Sequence, residues 1–265
     1  MVVASPLLTR AASAVVLGLP VLLAAYLGSP VFELMIAAAA AVLAWEWFHL
    51  CGDGLPRTLG YALAAVLLIA VAAAAGLGIR QAVGALVVGT VALLLVSRGQ
   101  PWLSGGTIYL GLPCVALIWL RNDGSAGRDV VFWLMIVVWA ADTGAYIAGR
   151  LIGGPRLAPN VSPNKTWAGL AGGVGLAAAT SAGFAGASGQ TSLFAPTAVG
   201  AVMGFAAQAG DLAESWIKRK FGVKDTSALI PGHGGLLDRV DGLLMVVLVV
   251  ALIAAADEGA LFRWL

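Results

Sequence analysis

Apolar runs of roughly 18 to 22 residues recur along this 265-residue chain, each about long enough at ~1.5 Å per residue to cross a ~30 Å hydrocarbon core. A bilayer offers the backbone no hydrogen-bond partner, so only helices and closed barrels occupy it, and runs this long read as helices. Nine are expected, at about Ala11 to Leu27, Val31 to Leu50, Thr58 to Gly76, Gln81 to Val96, Gly105 to Leu120, Val130 to Ile152, Thr166 to Ala187, Leu193 to Phe221 and Gly242 to Ala256. The first follows Arg10 in the manner of a signal peptide; with eight more behind it, it reads as an uncleaved helix. Charged residues are 11% of the chain, against about a quarter in soluble domains. The expected fold class is therefore all-α: a polytopic integral membrane protein with about nine transmembrane helices.

With nine spans and the N-terminus inside, the inner segments hold Arg10, Arg57, Arg98, Arg150, Arg156, Lys165, Lys218, Arg219, Lys220, Lys224 and Arg239, and only Arg80, Arg121, Arg128 and Arg263 lie outside. The positive-inside rule selects that orientation. Cys51 and Cys114 are far apart in or beside apolar runs and have no metal-ligand spacing. No basic stripe carries interleaved aromatics, so nucleic acid is not an expected partner.

Character changes near Asp129. Residues 1–128 read as membrane scaffold, where Gly and Ala allow close helix approach and leave room for a homodimer, and residues 129–265 read as the catalytic region. There "WAADTGAYIAGR" puts Asp142 about a dozen residues into a span, a depth that costs at least ~2.5 kcal/mol and calls for a partner or a wet cavity. The loop "GGPRLAPNVSPNKTWAGLAGG" ends with Lys165 and Thr166 at a helix start, a corner whose free N–H groups suit phosphate. In "AQAGDLAESWIKRKFG", Asp211, Glu214, Ser215 and Lys218 share one helix face, and in "LLDRVDG" Asp238 and Asp241 again share one. Glu33, Glu46 and His49, near the ends of the second span, read as interfacial residues without a further role.

Carboxylates gathered at helix ends repel one another unless neutralised, and oxygen-only ligands suit a hard cation such as Mg²⁺. Basic residues around the same point suit an anion with several phosphates. Together they point to phosphoryl or nucleotidyl transfer.

One segment carries most of that chemistry: Ser215-x-Ile217-Lys218-Arg219, then Lys224-Asp225-x-Ser227, then Leu229-Ile230-Pro231-x-His233-Gly234-Gly235-Leu236-x-Asp238-Arg239-Val240-Asp241. It resembles the signature of phosphatidate cytidylyltransferases, the CDP-diacylglycerol synthases. "ADTGAYIAGRLIG", "SPNKTWAGLAGG" and "GDLAES" extend the resemblance over most of the second half. At Ala168 the chain departs from the glutamate usual in the family.

The resemblance implies that CTP and phosphatidic acid give CDP-diacylglycerol and pyrophosphate, for phospholipid biosynthesis. It implies Mg²⁺ with two cation sites, the second of open identity. Asp142, Asp211, Asp238 and Asp241 are the expected metal ligands. Lys218, Arg219, Lys224, His233 and Arg239 are the expected catalytic groups, and Ser162, Lys165, Thr166 and Ser215 the expected substrate contacts. The expected location is the inner (cytoplasmic) membrane with the active site on the cytoplasmic side, where soluble CTP meets a membrane lipid. A CTP-dependent lipid kinase and an ion-coupled transporter are the alternatives.

Overall fold

The computed structural model describes residues 18–124, 126–230 and 234–256. Its helices are α1 (Gly18–Leu27), α2 (Val31–Cys51), α3 (Arg57–Gly76), α4 (Ile79–Val96), α5 (Pro101–Arg121), α6 (Gly127–Leu151), α7 (Trp167–Ala187), α8 (Phe194–Lys220) and α9 (Leu237–Ala256). Among the described residues, seven helices, α2 to α7 and α9, are long and apolar enough to cross a membrane. The chain is thus a multi-pass helical membrane protein. Two of the expected spans do not meet that measure. The first falls partly on residues 11–17, outside the described residues, and its described part, α1, is short. Helix α8 has 27 residues, but Gln208, Asp211, Glu214, Lys218, Arg219 and Lys220 crowd its second half.

The chain forms two compact units: Met1–Asn122 with Phe221–Val240, and Asp123–Lys220 with Asp241–Leu265, as far as their residues are described. In the first unit α5 is the most enclosed span. Leu63 and Leu67 of α3, Leu86 of α4, and Leu103, Leu110 and Ile118 of α5 are fully buried. Glycines set the spacing. Gly106 lies under the Trp47 indole, which donates from Nε1 to the Trp102 carbonyl at 2.8 Å, and Gly111 lies against Leu86 and Leu67. The segment after α8 belongs to this unit too, with Phe221 edge-on to Trp102 at 5.5 Å.

In the second unit α6 and α7 touch backbone to backbone. A side chain on Gly144 would strike the Gly172 carbonyl, and one on Gly173 would lie 2.9 Å from the Ala141 carbonyl. Small residues permit this close contact, which in lipid takes the place of a hydrophobic driving force. Gly200 and Gly204 of α8 repeat the device against α7. Buried Trp133 donates to Ser181 Oγ at 3.2 Å, and so also ties α6 to α7.

The segment expected as plain loop before α7 contains a hairpin. Strands β1 (Arg156–Ala158) and β2 (Ser162–Thr166) pair antiparallel, Arg156 opposite Thr166 and Ala158 opposite Ser162. The pairing satisfies backbone groups that a loop would leave to water, and it delivers Lys165 and Thr166 to the start of α7 in fixed register. Helix α9 begins at Leu237, five residues before its apolar run was expected to start.

Candidate active site

In the second unit, α8 and α9 approach closely because both carry glycine at the contact. A side chain on Gly210 would meet the Asp241 carbonyl at 2.6 Å, and one on Gly242 would meet the Ala207 carbonyl at 3.1 Å. That closeness brings Asp211 and Asp241, the neighbours of those glycines, within electrostatic reach of each other; Asp142 of α6 and Lys165 of β2 are within reach of Asp241 as well. Lys165 Nζ lies 2.6 Å from Asp211 Oδ2. Ser215 donates to Asp211 Oδ1 at 3.4 Å, and Asp241 Oδ1 accepts from the Gly242 N–H at 2.7 Å. Asp142 is solvent-accessible while Lys165 is largely covered.

Three carboxylates and one ammonium are thus gathered here. An all-oxygen donor set fits a hard divalent cation. As they stand, no three His, Cys, Asp or Glu side chains among the described residues are gathered tightly enough to ligate one ion.

Thr166, expected as a substrate contact, serves in the structure as the N-cap of α7. Its backbone is extended, and its Oγ1 accepts from the Gly169 N–H at 3.0 Å, capping α7. Substitution of such a cap by Ala typically costs about 1 kcal/mol. Ser162 opens β2, half-buried.

The shared face of α8 resolves into two internal pairs. Ser215 serves Asp211, and Lys218 Nζ lies 2.7 Å from Glu214 Oε2, with both side chains buried. Glu N-terminal to Lys at i,i+4 is the favourable order on a helix. Lys218, expected to reach a phosphate, is thus turned toward Glu214. Arg219 and Lys220 at the end of α8, Lys224 in the following segment and Arg239 in α9 are exposed. His233, with Pro231 and Gly232, lies outside the described residues.

The first unit holds a second group of carboxylates. Asp238 Oδ2 accepts from the Thr226 N–H at 2.9 Å, from Thr226 Oγ1 at 2.9 Å and from the Gly235 N–H at 2.7 Å. Gly234, at φ 80°, adopts a backbone that disfavours any other residue, and a side chain there would lie 2.7 Å from Asp238 Oδ2. Glu46, fully buried on α2, accepts from Ser227 Oγ and the Leu236 N–H at Oε1 and from the Leu237 N–H at Oε2, each at 2.7 Å. The expectation that Glu46 is a plain interfacial residue is therefore corrected: it is a buried, triply bonded anchor for the start of α9. The available signal was its cost, a carboxylate inside "VLAWEWFHL" that apolar surroundings alone do not tolerate.

The sequence profile of the Cytidylyltransferase family matches residues 8–256. The phosphatidate cytidylyltransferase of Brucella suis biovar 1 is 37% identical over 260 residues, covering 95% of this chain and 94% of that protein. The one from Brucella melitensis biotype 1 is 39% identical over 265 residues with the same coverage. The Pseudomonas aeruginosa protein of that name is 36% identical over 244 residues, covering 86% of this chain and 90% of that protein.

Proposed function

The chain belongs to the cytidylyltransferase family, and from that premise we propose that it transfers the cytidylyl group of CTP to phosphatidic acid, giving CDP-diacylglycerol and pyrophosphate. The observation that carries the reading is the meeting of Lys165, Asp211 and Asp241 where α8 and α9 approach through glycine. A phosphate monoester is already ionised near neutral pH, so its oxygen attacks the α-phosphorus of CTP without a strong base. One P–O bond forms to the lipid phosphate, one breaks to pyrophosphate, and the leaving group carries the electron pair away.

Two anions must be brought together while charge builds on the leaving group. Mg²⁺, when bound, neutralises that charge and polarises the phosphates. Asp142, Asp211 and Asp241 would hold it, since they are carboxylates within electrostatic reach of one another beside Lys165. Asp238 remains a candidate ligand, and its three hydrogen bonds orient its carboxylate as outer partners orient a metal ligand. Lys165, paired with Asp211, is proposed as a phosphate contact, and exposed Arg219, Lys224 and Arg239 as further cationic contacts. The excess of Lys and Arg on the expected inner segments supports a site on the cytoplasmic face of the inner membrane, where CTP is available.

Purified protein with phosphatidic acid, Mg²⁺ and CTP labelled at either the α- or the γ-phosphate tests the proposal. Lipid carrying the α-label alone is expected. The γ-label in lipid would establish a kinase instead, and no label in lipid under varied divalent cations would remove the reading.

A further inference from the structure

We infer that Glu46 is a positioning residue for the transfer, holding the carboxylate-bearing first turn of α9 and the stem of the loop before it; this rests on the proposed cytidylyl transfer. Two carboxylates share that stem between them. Thr226 and Gly235 bond to Asp238, while Ser227, Leu236 and Leu237 bond to Glu46. Both sides of the loop are therefore fixed, residues 226 and 227 on one and 235 to 237 on the other. Between them Ile230 N–H donates to the Gly234 carbonyl at 2.8 Å, which narrows the neck further. Residues 228–230 and 234 are carried on a stem that Glu46 ties to α2.

A carboxylate is an expensive way to tie a loop, because burying its charge costs more than burying an amide. What it supplies is an acceptor at each oxygen and a negative charge at the positive end of the α9 dipole. Glu46 uses both. Its Oε2 takes the Leu237 N–H, the first of α9, and its Oε1 takes the N–H just before the helix together with Ser227 Oγ. Space around it is closed as well: a side chain on Gly235 would collide with Glu46 Oε1 and Thr226 Oγ1. The same turn of α9 carries Asp238, Arg239 and Asp241. Loosening Glu46 therefore lets those groups drift without removing any of them.

Glu46→Gln tests this, since its amide nitrogen cannot accept from Leu237 N–H. Hydrogen exchange, followed by mass spectrometry without nucleotide or metal, is expected to speed up in residues 226–237 and stay unchanged elsewhere. In the folded variant kcat is expected to fall about 10- to 100-fold, and half-maximal activity to need more Mg²⁺, the range seen when outer partners of a metal site are lost. KM for phosphatidic acid is expected to stay within about twofold, because no lipid contact is removed. A purely structural residue would alter the folded fraction and leave the Mg²⁺ dependence of that fraction alone.

Wild-type-like exchange in residues 226–237, or wild-type kcat and Mg²⁺ dependence in a folded Glu46→Gln protein, would overturn the inference. Should that variant not fold, Ser227→Ala, which removes one of the three bonds, takes its place. A several-fold loss of kcat with faster exchange around residue 227 is then expected, and no change in either would overturn the inference. A wild type that makes no CDP-diacylglycerol defeats the functional reading instead, and separates the two failures.

Discussion

Each unit of this protein holds a cluster of carboxylates, and the two clusters are compensated in different ways. In the first unit Glu46 and Asp238 each accept three hydrogen bonds from N–H and O–H groups. In the second, Asp211 has a serine and a lysine, and Asp241 lies within electrostatic reach of Asp211, Asp142 and that same lysine. A carboxylate surrounded by neutral donors fixes backbone; carboxylates gathered within reach of one another attract cations. The first cluster is thus suited to holding geometry, whether or not Asp238 also ligates a cation, and the second to binding charge.

The contrast can be broken most sharply from the charged side. Asp211→Asn is expected to lower kcat/KM at least ~10²-fold, the effect of losing a key electrostatic group, with a melting temperature close to wild type because relieved repulsion with Asp241 opposes the loss of the Lys165 pair. Large destabilisation with activity retained would mean that the second cluster is structural like the first.

A smaller effect is expected where α8 meets α9. Gly210→Ala puts a methyl about where the Asp241 carbonyl lies 2.6 Å away, so the helices must part. Overpacking of this kind typically costs about 1–3 kcal/mol, and activity is expected to drop about tenfold with the displacement of Asp211 from Asp241. Thermal unfolding and steady-state kinetics on one preparation check both. The smallest change belongs to the first cluster: Thr226→Val removes the hydroxyl bond to Asp238 and keeps the N–H bond. About 1.5–3 kcal/mol is expected for a hydrogen bond to a charged acceptor, read as faster hydrogen exchange near residue 226 with only a few-fold loss of turnover.

Much of this was legible in the sequence because lipid imposes simple rules. The apolar runs locate the helices, and charge inside a run marks Asp142 and the α8 stripe as residues with work to do. Lys165 and Asp211, expected as substrate contact and metal ligand, are found joined in an ion pair. Glu46 was missed because its partners are mostly backbone N–H groups 181 to 191 positions away, which no side-chain pattern reports. The same blindness hid the hairpin: β1 is three residues long, too short for the alternation by which a strand is read. Helix α9 starts ahead of its apolar run because Glu46 takes the N–H groups at its beginning, so the boundary is set by a tertiary contact. Lys218, a catalytic group by the resemblance, is found paired with Glu214, a pairing that the i,i+4 spacing permits.

Cytidylyl transfer is proposed to depend on the cluster of Asp142, Asp211, Asp241 and Lys165. That dependence is tested most directly by single-turnover formation of lipid labelled from α-labelled CTP, measured for wild type and Asp241→Asn at saturating Mg²⁺. Labelled CDP-diacylglycerol is expected from wild type, with a rate at least ~10²-fold lower from an equally folded Asp241→Asn protein. Equal rates from the two proteins would contradict it.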